Sequence, residues 1–419
     1  MDKENLKIHI VGAGVSGLIA AIVLEKYGFT PIIIEETDRV GGRVKTDIID
    51  GFQLDRGFQV LLSKYPMAQK YLDFSKLKLQ KLKSGAVIFN NGKQKIIGDP
   101  LRDTTVIFPT LFSAVGNLSD KIKILQLSLR LKKKSIDEIF QSQELSTIDY
   151  LNTLGFSSQM IAQFFFPFFT GIFLETNLKT SSRMFEFVFK MFGEGLAVIP
   201  KGGMEEISKQ LLSKLEKTVF RFKTEVTLVT EKLIKLKNGK QLKSDATIIA
   251  TNANKLIENE ANEDIHWKSC QTLYFKTKER VISKPFIGLI PNKNSLINNI
   301  FYHSSIQIRN PNKEELLSVT VVKDHHLSEV ELITMVAKEL KKECNIKKIE
   351  FLKIYNIPKA LPDLNNLRYE IASDEIKVSS GIFLAGDVMS NGSLNAAMVN
   401  GEKAALIIIE NFKKRGITA

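Results

Sequence analysis

The stretch VGAGVSGLIAAIVLEKYGFTPIIIEETDRVGGR, Val11 to Arg43, decides how the chain is read. It is entered from KIHIV (Lys7 to Val11), a short apolar, β-branched run of the kind that forms a buried parallel strand. Gly12, Gly14 and Gly17 then make G-x-G-x-x-G. The first glycine permits a tight turn, the second lets the backbone approach a pyrophosphate, and the third lets helix and strand pack closely. A helix follows from Val15 to about Tyr27, and its first N–H groups, at Val15 and Ser16, face the phosphates. PIIIE (Pro31 to Glu35) is the second strand. It ends on Glu35, with Glu36 next to it, where a carboxylate can bind both hydroxyls of a ribose. The motif is weak alone and strong between a strand and a helix with an acidic residue at the end of the next strand. Glu35 would repel a 2′-phosphate, so NADP is disfavoured. NAD and FAD both remain.

RVGGR separates them. Arg39, Gly41, Gly42 and Arg43 follow Glu35 after three residues, where an NAD dehydrogenase normally runs on into another crossover. Adjacent glycines open backbone conformations closed to other residues, and the flanking arginines suit a longer, more anionic ligand. This E-x-x-x-R-x-G-G-R pattern resembles the superfamily of flavin-containing amine oxidases, protoporphyrinogen oxidases and phytoene desaturases. GFQLDRGFQVLLSKYP (Gly51 to Pro66) is similar to the family's next segment, with Asp55 and Gly57 in its Asp-x-Gly positions. The resemblance implies bound FAD and an oxidoreductase, and with no Cys near KVSSGIFLAGD the flavin is expected to be held non-covalently.

It also implies that the chain returns to the nucleotide domain twice. IPKGGMEEISKQLLSKL (Ile199 to Leu215) is a glycine turn and a helical pattern. Two alternating runs follow, the second turning at Asn238-Gly239, and Ser244 to Ala253 is a further buried strand. By resemblance, Val226 in TEV approaches the adenine through its backbone. The last return runs from strand Ile382–Ala385 into Gly386-Asp387 and then a helix opening near Ser393, Leu394 and Asn395. Asp387 can reach a ribitol hydroxyl. The helix N-terminus would aim unpaired N–H groups at the isoalloxazine N1/O2 edge.

The expected fold is therefore α/β: a discontinuous Rossmann-like FAD-binding domain (residues 1–65, 199–253 and 381–419) with a mixed α+β substrate domain (residues 66–198 and 254–380). The 419 residues, 44% hydrophobic, are enough for more than one core. Net charge is +13 (59 basic minus 46 acidic), mostly from scattered lysines, and no nucleic-acid-binding motif accompanies it. Cys270 and Cys344 are the only cysteines, which excludes a disulfide framework and suits a reducing, cytoplasmic setting. The acidic, mixed opening MDKEN does not read as a signal peptide, and no run is long enough for a membrane span.

The chain holds 27 Phe against 8 Tyr and one Trp. They concentrate in MIAQFFFPFFTGIFLE and RMFEFVFKMFGEGLAVIP, which suit a dry core or an apolar passage. With flavin doing the redox chemistry, no protein acid or base is required. Lys276 and Tyr274, on one face of the strand TLYFKTKE, are the catalytic candidates; a strand ending in solvated lysines is the competing explanation. Asp324-His325-His326 point in different directions, so no metal is expected. KVSSGIFLAGD lacks the Trp and Tyr that the amine oxidases tend to carry before this glycine, which favours a desaturase-like reaction on a small apolar molecule. The alternatives are amine oxidation, or a non-catalytic binder of the kind the Rab GDP-dissociation inhibitors represent. DKIKILQLSLRLKKKS (Asp120 to Ser135) reads as an exposed helix with a lysine-rich face, or as a peripheral membrane contact.

Overall fold

A computed structural model describes residues 6–98, 115–254, 256–257, 265–308 and 314–416. The MDKEN opening lies outside the described residues. Apolar runs punctuated by glycine turns pair as a five-stranded parallel sheet in the order Val219–Arg221, Ile32–Ile34, Ile8–Val11, Ala246–Ile249, Ile382–Leu384. Ile10 pairs Ile33 on one side and Ile248 on the other, and Ile248 pairs Phe383. Such strands are buried on both faces, which is why they read as continuous aliphatic runs. Val219–Arg221, the start of the first alternating run, is the edge strand, docked on Ile32–Ile34 by Val219 N donating to the Pro31 carbonyl at 3.0 Å. The meander itself is Val226–Val229, Leu233–Leu236 and Gln241–Lys243, with Gly239 at φ 84° in its turn.

Two helices cross on one face of this sheet, Val15–Lys26 and Leu394–Lys414. They touch at Gly401, where a Cβ would stand 2.2 Å from the Ser16 carbonyl oxygen. Only glycine fits at that crossing.

The second body is a seven-stranded, mostly antiparallel sheet in the order 349–362, 267–277, 315–321, 297–302, 287–289, 85–90, 93–98. The amphipathic helix Glu329–Cys344 covers one face, packing Leu332, Val336 and Leu340 on Phe89, Leu317 and Val319. The other face looks toward the nucleotide sheet. A helical layer closes the space between them: Leu118–Lys133, a π-helical turn at Ile161–Phe165 running into Phe166–Phe173, and Ser182–Glu194. The architecture is mixed α/β, with the parallel sheet assembled from three separated lengths of chain.

Candidate functional site

The glycine turn follows from local geometry. Gly12 has φ 105°, and a Cβ there would stand 3.1 Å from the Ala250 carbonyl oxygen at the end of the neighbouring strand. Gly17 has no room at all, since its Cβ would fall 2.1 Å from the Gly12 carbonyl oxygen. Gly14 differs: only the Gly42 Cα, at 4.0 Å, lies near its missing Cβ. The second glycine pair packs on the first turn through Gly41 N donating to the Ala13 carbonyl at 3.0 Å. Two glycine turns thus form one cradle open on the Gly14 side, at the C-terminal edge of the sheet where strand order reverses.

Glu35 is buried beside it. Its carboxylate accepts from Ala13 N (2.8 Å), Thr37 N (3.0 Å) and Thr37 Oγ1 (2.6 Å), and Lys45 Nζ donates to the same hydroxyl at 2.9 Å. Thr37 and Lys45 carried no motif signal. Burial lowers the Lys45 ammonium from its usual range, while the Glu35 charge pulls it back up.

Arg43 and Asp387, far apart in sequence, form an ion pair at the centre of the site. Arg43 also donates to the Ala360 carbonyl (3.2 Å) and lies 5.4 Å from the Trp267 ring centroid. Gly386, at φ 122°, makes the bend that exposes Asp387 to this pairing. Asn400 Nδ2 fixes the bend from the following helix by donating to the Gly386 carbonyl at 2.8 Å. Ser393 caps that helix, accepting from Ala396 N.

One continuous cavity of about 1490 Å³ joins these groups. Gly12, Gly14, Val15, Ser16, Glu35, Glu36, Gly42, Arg43, Gly386, Asp387, Ser393 and Leu394 all line it. The volume exceeds the ~300–1,000 Å³ of a usual ligand site, leaving room for a dinucleotide and a substrate together. The open cradle, the carboxylate beside it and the capped helix end fit FAD in its three parts: pyrophosphate, ribose and ring.

Four expected residues are not on the cavity wall. Gly17 packs helix on strand. Arg39 turns away from the cavity: its guanidinium donates to Glu205 (2.9 Å) and Asp47 (2.7 Å). Asp47 also accepts from Arg56 and Tyr355; burial opposes its ionisation, yet those donors hold its pKa down to about 2. Val226 is a buried residue of the meander itself, paired with Leu236. Asn395 accepts from Met67 N at 3.1 Å and so ties the helix start to the first turn of the short helix Pro66–Tyr71. The catalytic candidates also stand elsewhere. Tyr274 is fully buried and donates to the Asp55 carbonyl at 2.8 Å, and Lys276 pairs with Glu350 at 2.5 Å. Neither residue lines the cavity. Asp55 serves the helix at Met204, whose N–H it accepts at 2.9 Å, and burial raises its pKa to about 6.

The phenylalanines divide. Phe165, Phe185 and Phe187 are core, whereas Phe164, Phe168, Phe169, Phe189 and Phe192 face the cavity. Phe164 stacks on Phe168, four residues further along the helix, with centroids 5.4 Å apart. Asn299 and Thr320, neighbours in the large sheet, are polar wall residues that sequence patterning did not single out. Among the described residues no cluster of His, Cys, Asp and Glu could hold a metal, and no helix is long and apolar enough to cross a membrane.

The sequence model of the family described as flavin containing amine oxidoreductase matches residues 15–409. A 4,4′-diapolycopene oxygenase of Methylomonas sp is 41% identical over 60 residues, 14% of this chain and 12% of that protein. An L-amino-acid oxidase of Bothrops moojeni is 31% identical over 122 residues, 28% of this chain and 24% of that protein. The chain thus matches only a minor part of these curated relatives' length. Among solved structures, an Exiguobacterium protein assigned as a protoporphyrinogen oxidase superposes with a TM-score of 0.72 at 18% identity, over 98% of this chain and 99% of that one. That likeness is one of fold.

Proposed function

Because the chain belongs to the flavin-containing amine oxidoreductase family and takes FAD as its cofactor, we propose that it dehydrogenates a small, mostly apolar molecule inside the Phe-lined cavity. When bound, FAD supplies the two-electron acceptor for hydride removal from a C–C or C–N unit, with oxygen or a quinone taking the electrons onward. The remaining work belongs to this chain's residues. The Gly12–Gly14 turn and the N-terminus of Val15–Lys26 bind the pyrophosphate, and Glu35 accepts from the ribose hydroxyls. Arg43, held by Asp387 and the Ala360 carbonyl, and the Ser393-capped helix orient the ring. Retention is non-covalent: Cys270 is the cysteine on the cavity wall, and burial pushes its thiol up to about 12, far from a reactive thiolate. The division into a cofactor domain and a substrate domain, with the boundaries drawn from sequence, is part of this reading, as is a peripheral contact with a membrane.

The observation that carries the substrate class is the continuity of the aromatic wall with the glycine cradle. Phe164, Phe168, Phe189 and Phe192 exclude water from the reacting bond and offer no charge to a cationic amine. The carboxylate beside Phe192 on that wall, Glu194, is already paired with Lys190 at 2.5 Å, so burying an ammonium there is costly. A polycyclic or isoprenoid-like molecule gains about 25 cal/mol per Å² removed from water. Anaerobic stopped-flow mixing tests this: bleaching of the flavin by polyenes or porphyrinogens, and not by simple amines, is expected. Rapid bleaching by simple amines alone would overturn it in favour of amine oxidation.

A further inference from the structure

The helix Leu118–Lys133 has two apolar faces. At 100° per residue, Leu127 and Leu131 fall together and are buried against the protein. Leu118, Ile122, Leu125 and Leu129 fall within an arc of about 60° on the opposite side, a stripe about 16 Å long. They are 63%, 49%, 41% and 53% exposed. Eleven large apolar side chains are exposed among the described residues, and four of them share this one face. An ordinary surface helix turns its polar residues outward. This one does not.

Two further observations say what covers the stripe. Its four residues are also the rim of the cavity, continuous with Phe164, Phe168 and Phe192 inside. The exposed Lys132 and Lys133 border it on either side, and the helix carries five basic residues against Asp120, which is buried in the capping box. The helix is also held in place: Lys190 Nζ donates to the Leu131 carbonyl at 2.8 Å, and Lys134 pairs with Glu186 at 2.6 Å. A preformed apolar stripe with basic margins is the pattern of a helix lying in a membrane interface, its apolar side in the acyl boundary and its lysines at anionic headgroups.

We propose that this stripe docks the protein on an anionic phospholipid membrane, so that the cavity mouth opens into the lipid and an apolar substrate enters from the bilayer rather than from water. The inference rests on the apolar-substrate reading of the cavity, but its test is independent of turnover.

The FAD-loaded protein is sedimented with phosphatidylcholine vesicles, with and without phosphatidylglycerol. Binding only to the phosphatidylglycerol vesicles, weakened by salt, is expected. The triple variant Ile122→Ser/Leu125→Ser/Leu129→Ser should lower the partition coefficient on the order of a hundredfold. Lys132→Gln/Lys133→Gln, which leaves the stripe intact, should lower it about tenfold or more. Equal flavin content and unchanged thermal unfolding establish that both variants are folded, and the lysine variant still decides if the triple variant is not. Absence of vesicle binding by the wild type, or undiminished binding by the variants, overturns the proposal. So does a wild-type dimer by light scattering that the triple variant loses without any vesicle binding, which assigns the stripe to a second copy. Bleaching of the flavin by simple amines would refute the substrate reading and leave a positive vesicle result standing as a docking site alone.

Discussion

Replacing Glu35 by Ala tests the cofactor site at its most constrained residue. Two carboxylate oxygens offer about four acceptor positions. Three are used by Ala13 N, Thr37 N and Thr37 Oγ1, leaving roughly one directed at the cavity for a ribose hydroxyl. A hydrogen bond to a charged acceptor contributes about 1.5–3 kcal/mol. Its loss should raise the Kd for FAD roughly 10- to 150-fold. The substitution also strands the Ala13 and Thr37 N–H groups, so the cofactor-free protein should lose about 1–3 kcal/mol of stability. Glu35→Gln should fall between the two, because its amide N–H₂ must face one of those donors. Quenching of flavin fluorescence on titration of cofactor-free protein gives Kd, and urea unfolding of the same sample gives stability. An unchanged Kd in Glu35→Ala, with stability lowered as expected, would refute the ribose role and leave Glu35 a purely structural acceptor.

Other consequences are as direct. Gly401→Val should destabilise by about 1–3 kcal/mol or more, because its Cβ must displace the Ser16 backbone and part the two crossing helices; unfolding midpoints equal to wild type would refute the crossing. Burial lowers the pKa of His9 to about 4 and of His303 to about 3, so both are neutral in the folded state. Their folded values lie below the unfolded ~6.5, so this stability is present above pH ~6.5 and is lost as pH falls toward 4 and 3, at up to about 1.4 kcal/mol per pH unit for each. His9→Gln or His303→Gln should flatten that slope, which urea unfolding across the range measures; an unchanged slope in both refutes the assignment. Asp387→Ala, which removes the partner of Arg43, should lower flavin content on purification more than Asp324→Ala at an exposed site. Equal flavin in the two would count against Asp387.

What was legible in the sequence was local. Gly12, Gly14, Gly17 and Glu35 lie within one strand–turn–helix–strand unit, and their roles follow from backbone conformation within it. Arg39 and Arg43 show where locality ends. They share a motif and a residue type, yet one meets Glu205 and Asp47 and the other Asp387, because the positive φ angles of Gly41 and Gly42 turn the chain between them. The three residues Val219–Arg221 do not specify whether they pair with the meander or with a parallel edge, and only the neighbouring Ile32–Ile34 decides it. Tyr274 and Lys276 share a strand face with the periodicity of any strand, and only their partners in the fold, Asp55 and Glu350, show that they stand off the cavity wall. The helix Leu118–Lys133 is apolar on two sides, so periodicity could not say which side the protein would bury.

Every role assigned to the cavity residues depends on bound FAD. The visible spectrum of the purified protein, followed by heat release and identification of the chromophore, tests it most directly. A flavin spectrum with free FAD in the supernatant after denaturation is the predicted result. A colourless protein that cannot be reconstituted with FAD, or a chromophore that stays attached to the denatured chain, would contradict it.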